Sequence, residues 1–253
     1  MTRWLAAFLL AAPPLAGAQQ LLDFRDDLAF RPDTVETLAE RVYRERLGAL
    51  EADGKLDSNW ILLERIRRTV ARLRPAVEYE RSTAATISWE AHLCRQCGEN
   101  ASAMAGGKLL IGEEFILTLA LSDEELAYLL AHEMAHVLAE HPREFATDAR
   151  YFVSNGLARE YEDLQQELDE SIGLQVRMAF LSAQQELEAD YMGFIFGARA
   201  GVEPGAMLSL LRKLRSDGVS LPVSHPSDEG RSHQAQAMFE TARRIWARWT
   251  PVP

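Results

Sequence analysis

His132-Glu133-Met134-Ala135-His136 is the stretch on which the reading of this 253-residue chain turns. Just upstream, Ser122-Asp123-Glu124-Glu125 has the form of a capping box, so a helix is expected from there to about Glu140, before Pro142. Four residues is close to one helical turn, which puts His132 and His136 on one side, able to share one ion. Neutral imidazole nitrogens suit zinc. Glu133 lies between them, placed to take a proton from metal-bound water. Leu126, Leu129, Leu130, Val137 and Leu138 flank the motif and mark the helix as buried. Two histidines and a glutamate inside a buried helix need a partner, because unpaired polar burial is costly.

A third ligand is required. A nearby downstream solution would use a glycine and another histidine, but Ala139 is not glycine and His141 sits one position out of register. The alternative is a glutamate from a separate helix. Gln185-Glu186-Leu187-Glu188-Ala189-Asp190 supplies it, with Glu186 and Asp190 one turn apart. Glu186 is then expected as the metal ligand and Asp190 as the acceptor of a ligand histidine's free N–H. Glu188 is expected to face solvent, and His92, His141 and His233 to be surface or packing histidines.

Around this centre the chain reads as α+β, strands before helices. Asp33 is expected to cap a first helix running to about Gly48, and a second spans about Asn59 to Arg74, stopped by Pro75. Ile87, Trp89, Ala91 and Leu93 alternate as a half-buried strand. Asn100–Ala105 and Lys108–Ile111 read as further strand, split by Gly106-Gly107. From Ser122 the pattern is helical almost to the C-terminus, and no repeat is visible. Cys94 and Cys97 are expected to form a local disulfide that shapes a turn.

The first residues read differently. Arg3, the apolar run Leu5–Ala12 and Ala16-Gly17-Ala18 have the order of a secretory signal peptide over residues 1–18. An N-terminal helical segment (19–74) and a metallopeptidase domain (75–253) are expected to follow. The formal net charge is −11, and loss of the segment with Arg3, its one charged residue, makes it −12. Such a field repels nucleic acid and anionic membranes, so neither is an expected partner.

Four ordered segments together resemble the HtpX-like and prenyl-protease-like zinc peptidases (peptidase family M forty-eight). They are the His132–His136 motif, Asn100 to Gly107 as an edge strand, Gln185 to Asp190, and Ser224-His225-Pro226 with the trailing Arg231. The resemblance spans roughly residues 75–245 and implies a gluzincin-type zincin, mostly helical, with a small sheet whose edge strand borders the site. It implies one zinc per chain and hydrolysis of peptide bonds in unfolded or misassembled envelope proteins, with association with envelope proteins. The matching branch is soluble, exported and bacterial, so a periplasmic location without a membrane span in the mature chain is expected. Asn100, Ala101, Ser102 and Ala103 would pair with an extended substrate. His225 would donate to the oxyanion or reach the metal in a latent state, and Arg231 would pair with Asp190 or steady the tetrahedral intermediate. A zinc-containing, chaperone-like binding protein and a closed structural zinc site are the readings that compete with hydrolysis.

Overall fold

A computed structural model describes residues 28–97, 100–216 and 229–249. In chain order its elements are α1 (Pro32–Ala52), α2 (Trp60–Glu80), β1 (Glu90–Cys94), β2 (Ala101–Met104), β3 (Lys108–Gly112) and α3 (Glu113–Thr118). There follow α4 (Asp123–Leu138), α5 (His141–Ala149), α6 (Tyr161–Glu170), α7 (Ile172–Arg199), α8 (Gly205–Ser216) and α9 (Glu229–Trp249). The α+β expectation holds, with one three-stranded sheet among the described residues.

The helix α4 is the centre of the molecule. Its start is fixed by the capping box: Glu125 N–H donates to Ser122 Oγ at 3.2 Å, and Ser122 N–H to Glu125 Oε2 at 2.8 Å. The Glu125 carboxylate also accepts from Ser209 Oγ and Lys213 Nζ of α8, each at 2.7 Å. From Glu125 to Leu138 every residue is buried, so the helix is covered all round by α2, the sheet, α7 and α8.

Against it lies α7, at a distance set by two glycines. A Cβ on Gly193 would stand 2.9 Å from the His132 backbone nitrogen, and one on Gly197 would stand 2.3 Å from the Tyr128 ring. Only hydrogen fits at either place. Glu186, Asp190, Gly193 and Gly197 recur at spacings of three and four, one face of a helix. The same face therefore carries the acids and the close contact.

The sheet order is β1-β3-β2, with β1 parallel and β2 antiparallel to β3. Ala91, Leu93, Ala101, Leu109 and Ile111 join α2 and α4 in the main core, while Cys94, Leu110 and Met104 meet Tyr43 and Leu47 of α1. Tyr43 hydroxyl donates to the Leu109 carbonyl at 2.8 Å, fixing α1 to the central strand. The hairpin between β2 and β3 turns on Gly106 and Gly107, whose φ of 76° and 81° side chains rarely adopt. A Cβ at Gly107 would also meet Ile87 at 2.5 Å.

Several boundaries differ from those expected. Pro75 does not stop α2 but lies inside it. Pro75 and the Ala71 carbonyl it cannot serve are on the exposed face, while Leu73, Ala76 and Val77 anchor the last turns in the core. Because α2 also places Leu62, Ile66 and Val70 in that core, it packs as part of the same body as α4. The first helix starts two residues earlier than an Asp33 cap allows, with Arg31 as N-cap and Pro32 in the first turn. It continues through Gly48 to Ala52. The chain leaves α4 at Leu138, two residues early. Glu140, in the left-handed region with φ 54°, turns it into α5, so Pro142 begins a helix. Cys94 and Cys97 are joined as a disulfide. Residues 1–18, read as a signal peptide, and His225 with its Ser-His-Pro segment lie outside the described residues.

Two stability predictions follow from this packing. Gly193→Ala should cost about 1–3 kcal/mol in denaturant unfolding despite alanine's better helix propensity, because backbone must move. Gly48→Ala in α1, with nothing within 4 Å, should instead gain about 0.5–1 kcal/mol. Acid titration tests the carboxylate anchors. Burial works against the charged form of Glu125, but Lys213, the Ser122 N–H and Ser209 outweigh it and bring the carboxyl from 4.5 to about 2. Arg44, ahead of the opposing effect of burial and of help from His92 and Lys108, does the same for Glu90, again to about 2. Both carboxylates bind protons more tightly in the unfolded chain, so their stabilisation is complete above about pH 4.5 and is lost as pH falls to about 2. The thermal midpoint should drop across that window, and drop less steeply in Glu125→Gln.

Candidate metal centre

Where α4 and α7 cross, His132, His136 and Glu186 each turn a ligand atom to one point, all within 4.8 Å of one another. His132 Nε2 and His136 Nε2 are 3.0 Å apart. The Glu186 carboxylate lies 3.1 Å from His136 Nε2 and 3.4 Å from His132 Nε2. All three residues are buried, Glu186 at 1% exposure.

The other ring nitrogens are held from behind. His132 Nδ1 lies 2.9 Å from Asp190 Oδ1. Arg231, from α9, grips Asp190 with Nε at 2.6 Å and Nη2 at 2.9 Å, and reaches Glu186 Oε2 with Nη1 at 2.8 Å. Arg231 therefore pairs with both Glu186 and Asp190 of α7. His136 Nδ1 lies 2.7 Å from His141 Nδ1, and His141 Nε2 is 3.3 Å from Glu188 Oε2. This corrects two expectations. His141 is 2% exposed and touches a ring of the centre, and Glu188 turns inward to it. The reason is the early end of α4, which brings the first residue of α5 back under His136. His92 is elsewhere, between Asp57 and Glu90.

Electrostatics follow from this crowding. Burial disfavours charge on His132, but Glu186 and then Asp190 outweigh it and raise the imidazole above its ordinary value. Burial dominates at His136 and lowers it, with Glu186 offsetting part. Burial likewise opposes the Asp190 charge, yet Arg231 and His132 keep its carboxyl below the usual range.

Glu133, 3% exposed, follows His132 on the same helix, and its Oε2 is buried without a hydrogen-bond partner. Glu133, His132, Glu186, Asn100 and Ala101 share the lining of a cavity of about 30 Å³ with Asp190 and Arg231, and apolar side chains including Phe115, Leu129 and Leu211 form most of the rest. Of the four residues expected to meet substrate, Asn100 and Ala101 thus border the site, while Ser102 and Ala103 lie further along β2. The Gly112 N–H bonds the Asn100 carbonyl at 2.8 Å, and Ser102 and Met104 stand opposite Leu110 and Lys108. By the alternation of an antiparallel ladder, Ala101 and Ala103 turn their main-chain groups to the other edge.

Two imidazole nitrogens and a carboxylate, with the buried and unpartnered Oε2 of Glu133 beside them, form a donor set suited to zinc. Sequence spacing pointed to these donors. The residues it missed are Gly193, Gly197, His141 and Glu188, and only the small-residue spacing of the glycines could have signalled any of them.

Comparison with known proteins agrees with this chemistry. The model of "Peptidase family M48" matches residues 63–238. A mitochondrial metalloendopeptidase OMA1 of Arabidopsis thaliana is 30% identical over 196 residues, 74% of this chain and 39% of that protein. The protein of the same name from Schizosaccharomyces pombe is 28% identical over 62% of this chain and 48% of its own length. That from Saccharomyces cerevisiae is 33% identical over 51% and 37%. The chain thus spans less than half the length of these curated relatives. They overturn the expected periplasmic location, since all three are mitochondrial proteins. Among the described residues, no helix is long and apolar enough to cross a membrane. With a family match covering most of its length and the His-His-Glu centre inside the matched region, the chain belongs to peptidase family M48, whose members are zinc metallopeptidases.

Proposed function

We propose that this chain is a zinc metalloendopeptidase that holds one zinc at His132, His136 and Glu186 and cleaves extended segments of unfolded or misassembled proteins. The observation that carries this reading is Glu133, a buried carboxylate oxygen without a partner beside the three donors. A closed structural site would have no use for it. The location of the relatives, mitochondrial, is carried to the chain with the same standing. Envelope proteins as substrates, which the family resemblance implied, are a narrower reading, and the proposal is confined to unfolded or misassembled segments.

When bound, zinc would supply Lewis acidity, lowering the pKa of water and polarising the scissile carbonyl. The residues do the rest. Glu133 takes one proton from the attacking water and delivers it to the leaving nitrogen as the carbon–nitrogen bond breaks. Asp190 accepts the His132 Nδ1 proton, which keeps Nε2 free to face the centre. Arg231 pairs with both Asp190 and Glu186 and offsets one of their two negative charges in the core, the other being available to a bound cation. An extended substrate adds to the free edge of β2 through the main-chain groups of Ala101 and Ala103. That mode selects chain without its own secondary structure.

Glu133→Gln should lower casein hydrolysis by about 10²–10⁴-fold while the protein still holds one zinc by elemental analysis. Equal cleavage by wild type and Glu133→Gln would remove Glu133 from the mechanism. Wild type that binds zinc and casein yet cuts nothing would favour a binding protein. Ala103→Pro should raise KM for extended peptides, leaving zinc content unchanged, because the lost N–H faces away from β3.

A further inference from the structure

The two ligand histidines are held in unlike ways. Behind His132 stands a carboxylate, Asp190, itself clamped by Arg231. Behind His136 stands another imidazole, His141, with a carboxylate one ring further out, Glu188. We infer that His141 is a positioning residue for the metal ligand His136, acting as the middle of a His136–His141–Glu188 relay. The inference rests on the metal-centre reading above and concerns residues that have no role in it so far.

Two ring nitrogens 2.7 Å apart need a proton between them, since facing lone pairs would repel. A histidine that gives Nε2 to a metal as a neutral ring carries its proton on Nδ1. His136 therefore donates from Nδ1, and His141 accepts at its own Nδ1. That leaves the His141 proton on Nε2, where Glu188 Oε2 lies 3.3 Å away to accept it. Every hydrogen bond in the relay then runs outward from the metal ligand, and Glu188 sets the tautomer of both rings.

The fold places His141 with some care. Glu140 adopts φ 54° so that α5 begins immediately after α4, and this reversal returns residue 141 to the turn that holds residue 136. Gln185 of α7 donates to the His141 carbonyl at 3.4 Å and to Glu144 at 2.7 Å, tying the first turn of α5 to the helix that carries Glu186 and Glu188. Both sides of the relay are therefore anchored to α7. At 2% exposure, His141 is also shielded from water that would compete for the His136 proton.

The test measures zinc affinity by competition with a chromophoric chelator, and the visible spectrum of the cobalt-loaded protein, for full-length wild type, His141→Ala, His141→Asn and Glu188→Ala. Loss of the acceptor in His141→Ala should weaken zinc about 10–100-fold and shift the cobalt bands. His141→Asn places an amide oxygen near the position of ring Nδ1 and should restore most of both. Glu188→Ala should move affinity and spectrum in the direction of His141→Ala, by less. A purely packing role for His141 predicts no rescue by the smaller asparagine. Folded His141→Ala with wild-type affinity and spectrum overturns the relay while the metal centre stands. Should His141→Ala fail to fold, Glu188→Ala decides, and unchanged affinity and spectrum there overturn the relay. Wild type that takes up no zinc overturns both the centre and the relay.

Discussion

Two carboxylates buried at 1% and 3% exposure, Glu186 and Asp190, impose the constraint around which this molecule is arranged. Charge removed from water is tolerated only when it is paired and hydrogen-bonded. Arg231 reaches both acids from α9, and His132 meets both from α4. Three helices distant in sequence are thereby committed to one point. Each is anchored elsewhere by apolar packing, so the polar cluster sits in a core that does not depend on it for cohesion.

Close approach is the second requirement. Contacts of 2.9–3.4 Å between the histidines of α4 and the acids of α7 cannot form between helices held apart by side chains. Gly193 and Gly197 remove the side chains at the crossing, and the His132 backbone occupies the space a methyl group would need. The same contact sets His132 against Glu186 and leaves Glu133 facing the cavity rather than α7. The chemistry and the packing are consequences of one helix crossing.

The sheet ends in β2, its edge strand among the described residues. Its parity, read from the Asn100 carbonyl bond to Gly112, turns the main-chain groups of Ala101 and Ala103 outward. Gly106 and Gly107 hold that register by closing the hairpin in a conformation open to glycine. The disulfide at Cys94–Cys97 lies at the end of β1, on the side packed against α1.

The linear chain by itself determined the elements whose cause is local. Helical spacing put His132 beside His136, Ser122 and Glu125 set the start of α4, and the one-turn interval of Glu186 and Asp190 set them on one face. These depend on backbone geometry that any few residues carry with them. The N-terminal segment, although legible as a signal, led to a location that the mitochondrial relatives contradict. Pro75 was misread for a physical reason: the carbonyl it frees is on the exposed face, and the core packing of Leu73, Ala76 and Val77 outweighs the lost bond and the ring clash. Tertiary structure alone decided that His141 stands behind His136, that Glu188 turns inward and that Arg231 joins both acids. Each of those contacts joins separate helices, and no spacing along one helix encodes where another will cross it.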